Sequence, residues 1–506
     1  MNHDMHASMN HSFHFLGISM LGWGAIFLFA VIGFYFSLVP ARSTSSRRID
    51  LLAWKPLSSM VKSKYFSFAF RLVPALLFVL VIATGLWGRE KANIAAPFTW
   101  LFWWTLLIFF VAFGGKIFCA ACPWDFFANL FQFGWIHPIR GKIQSLNLKW
   151  PKFLANTYIA IAFFVIFTWL ELGLELTNDS FGTAVLGLSI AGLAVVVALV
   201  FNKRAFCRYA CPIGRISGMY SQFSPLELRV RDSDVCRTCR TKDCVKGGEF
   251  STPCPMGETP FRLQQNTYCT LCTECVRSCE KNNLTLKLRP PGADLGNVNT
   301  WRKDESLLIF VILVLTFFHG LTMTSTWFQW TDWMEGQLGA SYVWAFSMVM
   351  FLVLSFSVLI LFAFDRLMSA TLSTNAVTMK MAYAFIPLVL GYHIGHNAMH
   401  VFGELPYLVP LINDPFGWGW NLFGWQGYQP SAILNHKSTQ ILQLLAIAVG
   451  FYYSVKILKI RSHRMKNEGS NINVLKLFIG HYVMLLLIAF LGVWFVFQPM
   501  VMRLNY

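Results

Sequence analysis

Charge is scarce in this chain. Only 13% of its 506 residues are Asp, Glu, Lys or Arg, whereas globular domains carry about 25%. Acidic side chains are the scarcer kind, 24 against 41 basic ones, for a net charge of +17. With 56% hydrophobic residues and a mean hydropathy of +0.51, the shortage argues against a soluble globular protein and for a chain mostly within a bilayer. The positive excess does not read as a nucleic-acid surface, because the basic residues gather at the ends of apolar runs. A basic segment ahead of the first apolar run is also missing, so no cleavable signal peptide is expected.

Crossing a bilayer takes roughly 20 apolar residues. Ten stretches qualify, at about 15–38, 70–88, 97–117, 154–175, 182–202, 305–325, 342–364, 380–402, 438–458 and 475–498. Residues 176–181, 326–341 and 403–436 contain no Lys or Arg, whereas 39–71, 116–152 and 456–476 are rich in both. The positive-inside rule then places both termini in the periplasm and the long segment after Lys203, Arg204 and Arg208 in the cytoplasm. Trp327, Trp330, Trp333, Trp418, Trp420 and Trp425 fall in the opposite loops and read as an interfacial aromatic belt.

That segment holds eight of the 12 cysteines. Cys269, Cys272, Cys275 and Cys279 have the C-x2-C-x2-C-x3-C spacing of a bacterial [4Fe–4S] site. Cys236, Cys239, Cys244 and Cys254-Pro255 form a stretched version. In two-cluster ferredoxins the fourth cysteine of each run serves the other cluster. The expected pairing is therefore Cys236, Cys239, Cys244 and Cys279 at one cluster, and Cys254, Cys269, Cys272 and Cys275 at the other. Zinc sites usually come as two CxxC pairs, which fits two triplets poorly. Disulfides are rare on the reducing side of the membrane.

The other four cysteines close two similar units. Phe118-Cys119-Ala120-Ala121-Cys122-Pro123 ends the third apolar stretch, and Phe206-Cys207-Arg208-Tyr209-Ala210-Cys211-Pro212 ends the fifth. Proline suits the first turn of a new helix, so each unit is expected to bend there, with the two pairs facing each other. Cys119, Cys122, Cys207 and Cys211 have three readings: a third cluster, a redox dithiol of lowered pKa, or buried structural thiols.

Two hairpins ending in Cys-x2/3-Cys-Pro, followed by a two-cluster ferredoxin segment, resemble the membrane polyferredoxins over about residues 68–300. These include the electron-donating proteins of nitrous oxide and periplasmic nitrate reduction and the cupric-reductase-like accessory protein of cytochrome oxidase assembly. The resemblance implies electron transfer between the cytoplasmic side or the quinone pool and a periplasmic acceptor. The first Cys pair is one residue shorter than the family's usual spacing, and the five C-terminal spans are extra.

Those spans carry histidines. His393, His396 and His400 recur at i, i+3 and i+7, on one helix face, and Glu404 extends the line. His319 and His436 are expected at similar depth. Imidazole suits haem iron or copper, and ionisable residues within spans usually mark function; histidines hydrogen-bonded between helices are the plainer reading. The N-terminal His3, His6, His11 and His14, among Met1, Met5 and Met9, suit copper or are a tail of biased composition. Glu171, Glu175, Asp365 and Arg366 lie at span ends, where snorkelling or interfacial pairing explains them. His481 reads as interfacial.

The expected fold is an α-helical polytopic membrane protein of about ten spans, with an inserted cytoplasmic α+β ferredoxin-like domain binding two [4Fe–4S] clusters. Its segments are a 1–14 tail, a first span with a basic loop at 15–67, the two Cys-Pro hairpins at 68–223, the ferredoxin segment at 224–300 and a five-span region at 301–506. The expected partners are membrane lipid, a quinone, a cytoplasmic electron donor and a periplasmic redox or copper protein, with the bacterial inner membrane as the location. The expected function is an electron carrier, or in a second reading a copper transport or metalloenzyme assembly factor whose ferredoxin part senses redox state. Arg237, Arg240, Lys242 and Arg277 would offset negative charge on the thiolates. Replacing them with neutral residues is expected to lower the cluster reduction potentials, followed by EPR during a redox titration; unmoved potentials refute this role.

Overall fold

The computed structural model describes residues 14–15, 17–39, 48–133, 145–248, 251–297, 301–339, 341–425, 427–467 and 472–500. His3, His6 and His11 lie outside them, as do Arg42, Arg47, Arg140 and Lys142. Nine helices among the described residues are long and apolar enough to cross a membrane: Met20–Leu38, Phe66–Trp87, Ala95–Gly114, Ser180–Val200, Lys303–Thr322, Tyr342–Leu372, Val377–Asn413, His436–Lys466 and Val474–Val496. Each matches one of the ten expected stretches. The tenth is the apolar helix Tyr158–Gly173. Its 16 residues rise only about 24 Å at 1.5 Å per residue, less than a hydrocarbon core of about 30 Å.

The chain divides into two compact units. One comprises residues 1–42, 316–399 and 434–506, the other 43–315 and 400–433.

In the first unit, helix His436–Asn467 packs along Ile386–Met399, Val474–Val496 and Met20–Leu38. Glycine permits its closest approach. A Cβ on Gly450 would lie 2.4 Å from the Pro387 carbonyl oxygen, and one on Gly391 would lie 2.4 Å from that of Ala446. Small residues are the usual means of bringing spanning helices this close. Helix Ser325–Leu338 occupies part of a stretch expected to be loop. Trp327 there is fully buried against Phe318 and Phe346; it belongs to the core, whereas Trp330 and Trp333 are exposed. His481 is also fully buried, not interfacial, with Nδ1 2.9 Å from the Leu477 carbonyl oxygen.

The second unit holds the four hairpin helices and a small ferredoxin-like layer. Three antiparallel strands, ordered Ile49–Asp50, Leu284–Leu288 and Leu226–Val230, make its sheet. The register sets Leu226 opposite Leu288 and Val230 opposite Leu284. Its apolar residues pack with Leu52, Val61, Leu271 and Val276, and Cys244, Cys269, Cys275 and Cys279 lean on that core. Residues 49–62, expected as a basic loop, thus complete the sheet and its core. Asp50 fastens them, accepting from Arg231 at 2.9 Å and from Thr285.

Arg289 ties this layer to the end of the helix that follows Cys211. It is buried, ion-paired with Glu227 at 3.3 Å and with Asp294, and donates to the carbonyl oxygens of Ser224 and Ser221, each at 3.1 Å. Arg289→Met leaves two buried carboxylates without this partner and is expected to cost about 3–5 kcal/mol. Thermal unfolding of the full chain in detergent, with proteolysis of the 224–297 segment, measures it.

Candidate iron-sulfur site

The eight ferredoxin cysteines assemble as two fours. Cys254, Cys269, Cys272 and Cys275 line one cavity, the grouping expected from the crossed pairing. Cys236, Cys239, Cys244 and Cys279 sit within electrostatic reach of one another. Asn283 binds this group twice, through its backbone N–H to Cys279 Sγ at 3.3 Å and through Nδ2 to Cys236 Sγ at 3.1 Å. The one-turn helices Asp243–Lys246 and Glu274–Arg277 pack together, which brings Cys244 towards Cys275. Burial pushes the thiols of Cys244 and Cys269 up to about 11 and that of Cys272 up to about 12. Of the basic residues meant to offset thiolate charge, Arg277 is paired with buried Glu274, and Arg237 lies 3.3 Å from exposed Asp234.

Cys119, Cys122, Cys207 and Cys211 line a further cavity, so the two Cys-Pro units do face each other. Local structure explains the convergence. Pro123 opens helix Pro123–Phe133 and Pro212 opens helix Pro212–Tyr220. Cys211 caps the second, its Sγ accepting from the Gly214 N–H at 3.3 Å. Beneath them Asp125, from the first new helix, receives Arg204 at 2.7 Å and Arg71 at 3.5 Å, and Arg204 also donates to Asn129 and Gln132. Burial alone would raise the Asp125 carboxyl, but Arg204 and Arg71 hold it below the usual range.

A redox dithiol of lowered pKa would need ionisation to be favoured, and burial acts the other way here. Burial raises Cys119, raises Cys122 and Cys207 strongly, and pushes Cys211 up to about 12. The helix-start hydrogen bond is too weak to reverse the loss of solvation. Thiols of this kind ionise when a bound metal supplies the positive charge. Among the described residues no three His, Cys, Asp or Glu side chains are grouped as a single metal ion needs. Four soft sulfur donors spread around a cavity fit a polynuclear iron–sulfur group better than one ion.

The Cys-Pro cavity and the Cys254 cavity share a wall of Pro255, Met256 and Thr270. Polar ties hold that wall in place. Arg215, fully buried, pairs with Glu305 at 3.0 Å and lies over the Tyr268 ring; Arg208 pairs with Glu258 at 3.0 Å. A Cβ on Gly218 would fall 2.4 Å from the Thr267 carbonyl oxygen, so glycine lets helix Pro212–Tyr220 touch the Thr267 segment.

Lys116 was legible only as a positive-inside residue. It is buried in the Cys-Pro cavity, with Nζ 3.4 Å from the Thr267 carbonyl oxygen. Burial lowers its pKa, and the nearby Cys119, Cys207 and Cys211 oppose the fall. A lysine three residues ahead of Cys119 was the available signal.

His319, His393, His396 and His400 are buried, but His436 is exposed at a helix start. The chain turns π-helical at His400–Glu404. The His319 and His396 rings meet at 4.9 Å, and His400 Nδ1 lies 2.6 Å from Glu404 Oε2.

Lys116→Met removes a cation from beside four thiols. Any redox centre held there is expected to become harder to reduce, while the centres of the Cys236–Cys279 segment stay unchanged; an EPR-monitored titration separates them.

The sequence model described as a 4Fe-4S binding domain matches residues 96–143 and 183–231, the two segments that carry the Cys-Pro pairs. The chain is 34% identical over 116 residues, 22% of its length, to YccM of Escherichia coli (strain K12), a protein named for electron transport. It is 27% identical over 162 residues, 29% of its length, to the methylamine utilization ferredoxin-type protein MauN of Paracoccus denitrificans. A protein of Methanocaldococcus jannaschii whose name states no function is 26% identical over 186 residues, 36% of this chain and 67% of that protein. The matches span 29% of YccM and 51% of MauN. No solved structure matches. These likenesses, with the apolar helices and the gathered cysteines, support a membrane polyferredoxin-like family for this chain.

Proposed function

We propose that this protein is a membrane-bound iron–sulfur electron carrier linking the cytoplasmic side or the quinone pool to a periplasmic acceptor. One observation carries the reading: three groups of four cysteines stand in sequence through the second unit. The Cys-Pro group shares a wall with the Cys254 group, and Cys275 of the Cys254 group feels the charge of Cys244 in the third. Clusters held there supply one-electron chemistry. The residues around them exclude water, donate N–H groups to sulfur and place Lys116 as a counter-charge. The basic loops support a cytoplasmic ferredoxin segment and an inner-membrane location.

The copper transport or assembly reading is the alternative. Reduction of an external acceptor by proteoliposomes is expected to vanish in Cys269→Ala; metal uptake that survives this change would favour the transport reading instead.

Iron content tests the number of centres. Anaerobically purified protein is expected to hold about 12 irons per chain, falling to about 8 in Cys207→Ser, because each cubane carries four. About 8 in the wild type removes the third cluster from the proposal, and no iron removes all three.

A further inference from the structure

An apolar cavity of ≈ 660 Å³ lies behind the Cys-Pro group. Its walls come from helices Phe66–Trp87, Ala95–Gly114, Tyr158–Gly173 and Ser180–Val200. Packed interiors hold few voids larger than a water molecule, whereas ligand pockets run to about 300–1,000 Å³, apolar with a few placed polar groups. A lipid tail would need the volume but not the polar groups.

Such groups are present. Glu171, 6% exposed, lines the cavity with Thr168 and Thr183, and a buried carboxyl on a helix of this kind usually marks function. Trp124, 8% exposed, lines it too, and its Nε1–H has no hydrogen-bond partner among the described residues. A buried indole N–H normally finds one. The location adds a third argument. Phe118, Trp124 and Ile213 line both this cavity and the Cys-Pro cavity, so an occupant would touch the side chains that enclose four thiols.

We infer that this cavity binds a lipid-soluble quinone, its ring against the Phe118–Trp124–Ile213 wall and its isoprenoid tail among the aromatic side chains of the spans. Trp124 Nε1 donates to a ring carbonyl oxygen. Glu171 gives the same chamber an ionisable group. The inference rests on the proposed electron-carrier role and locates one of its two candidate electron sources.

The test is photolabelling of the anaerobically purified full chain in detergent with an azido-quinone bearing a decyl tail, the adduct mapped by mass spectrometry. Labelling is expected within residues 98–124 or 164–190, suppressed by decylubiquinone but not by decylbenzene, which has the tail without the carbonyls. Leu186→Trp, which fills the cavity, is expected to cut labelling at least tenfold, and Trp124→Phe, which removes the donor, about three- to tenfold. Adducts elsewhere, equal competition by decylbenzene, or unchanged labelling in both variants would overturn the inference. Iron content of the same samples keeps the two readings apart: intact iron without labelling sinks only the quinone site, and labelling without iron sinks only the cluster assignment.

Discussion

Sulfur kept from water has to be matched by something positive, and much of the second unit is arranged around that need. A buried thiol stays protonated unless a metal or a cation favours its ionised form. The Cys-Pro group meets the condition on several sides. Lys116 lies among the thiols, the Gly214 N–H points at Cys211, and Arg71 and Arg204 stand behind Asp125. The Cys236 group is more open and relies on the N–H groups of Asn283.

The cysteine loops have little regular structure of their own, and the surrounding fold holds them. Leu228, Leu271, Val276, Leu284 and Leu286 make the apolar floor on which four of the thiols rest. Arg289 fastens that floor to the end of the helix that follows Cys211 through carboxylates and carbonyl oxygens. Arg208 and Arg215 then fix the loop between the two nearest cysteine groups by reaching Glu258, Tyr268 and Glu305. Position therefore comes from charged side chains drawn in from loops that topology rules treat as a simple orientation signal.

Much of this was readable in the chain, for physical reasons. Long apolar runs declare spanning helices through composition alone, and Cys-x2-Cys spacing declares a cage because few backbone paths bring three thiols together. The crossed placement of Cys254 with the second triplet follows from the same rule. Contacts between distant residues were not readable. Nothing local in Ile49 and Asp50 announces a strand partner at Leu288 and Lys287. Nothing in a lone lysine such as Lys116 says whether it faces water or sulfur. Nor does the sequence announce the π-helical turn that begins at His400. Trp327 misled because a tryptophan beside a span resembles an interfacial anchor until Phe318 and Phe346 are seen around it.

The edge strand Ile49–Asp50 joins a partner more than two hundred residues further along the chain. During synthesis, its pairing residues emerge only after both hairpins have been made. The early segment must therefore wait, unpaired, while four apolar helices enter the bilayer, and contacts of such long separation form slowly. Completion of the sheet is thus a late event in biogenesis, and iron delivered before it would meet cysteine loops without their floor.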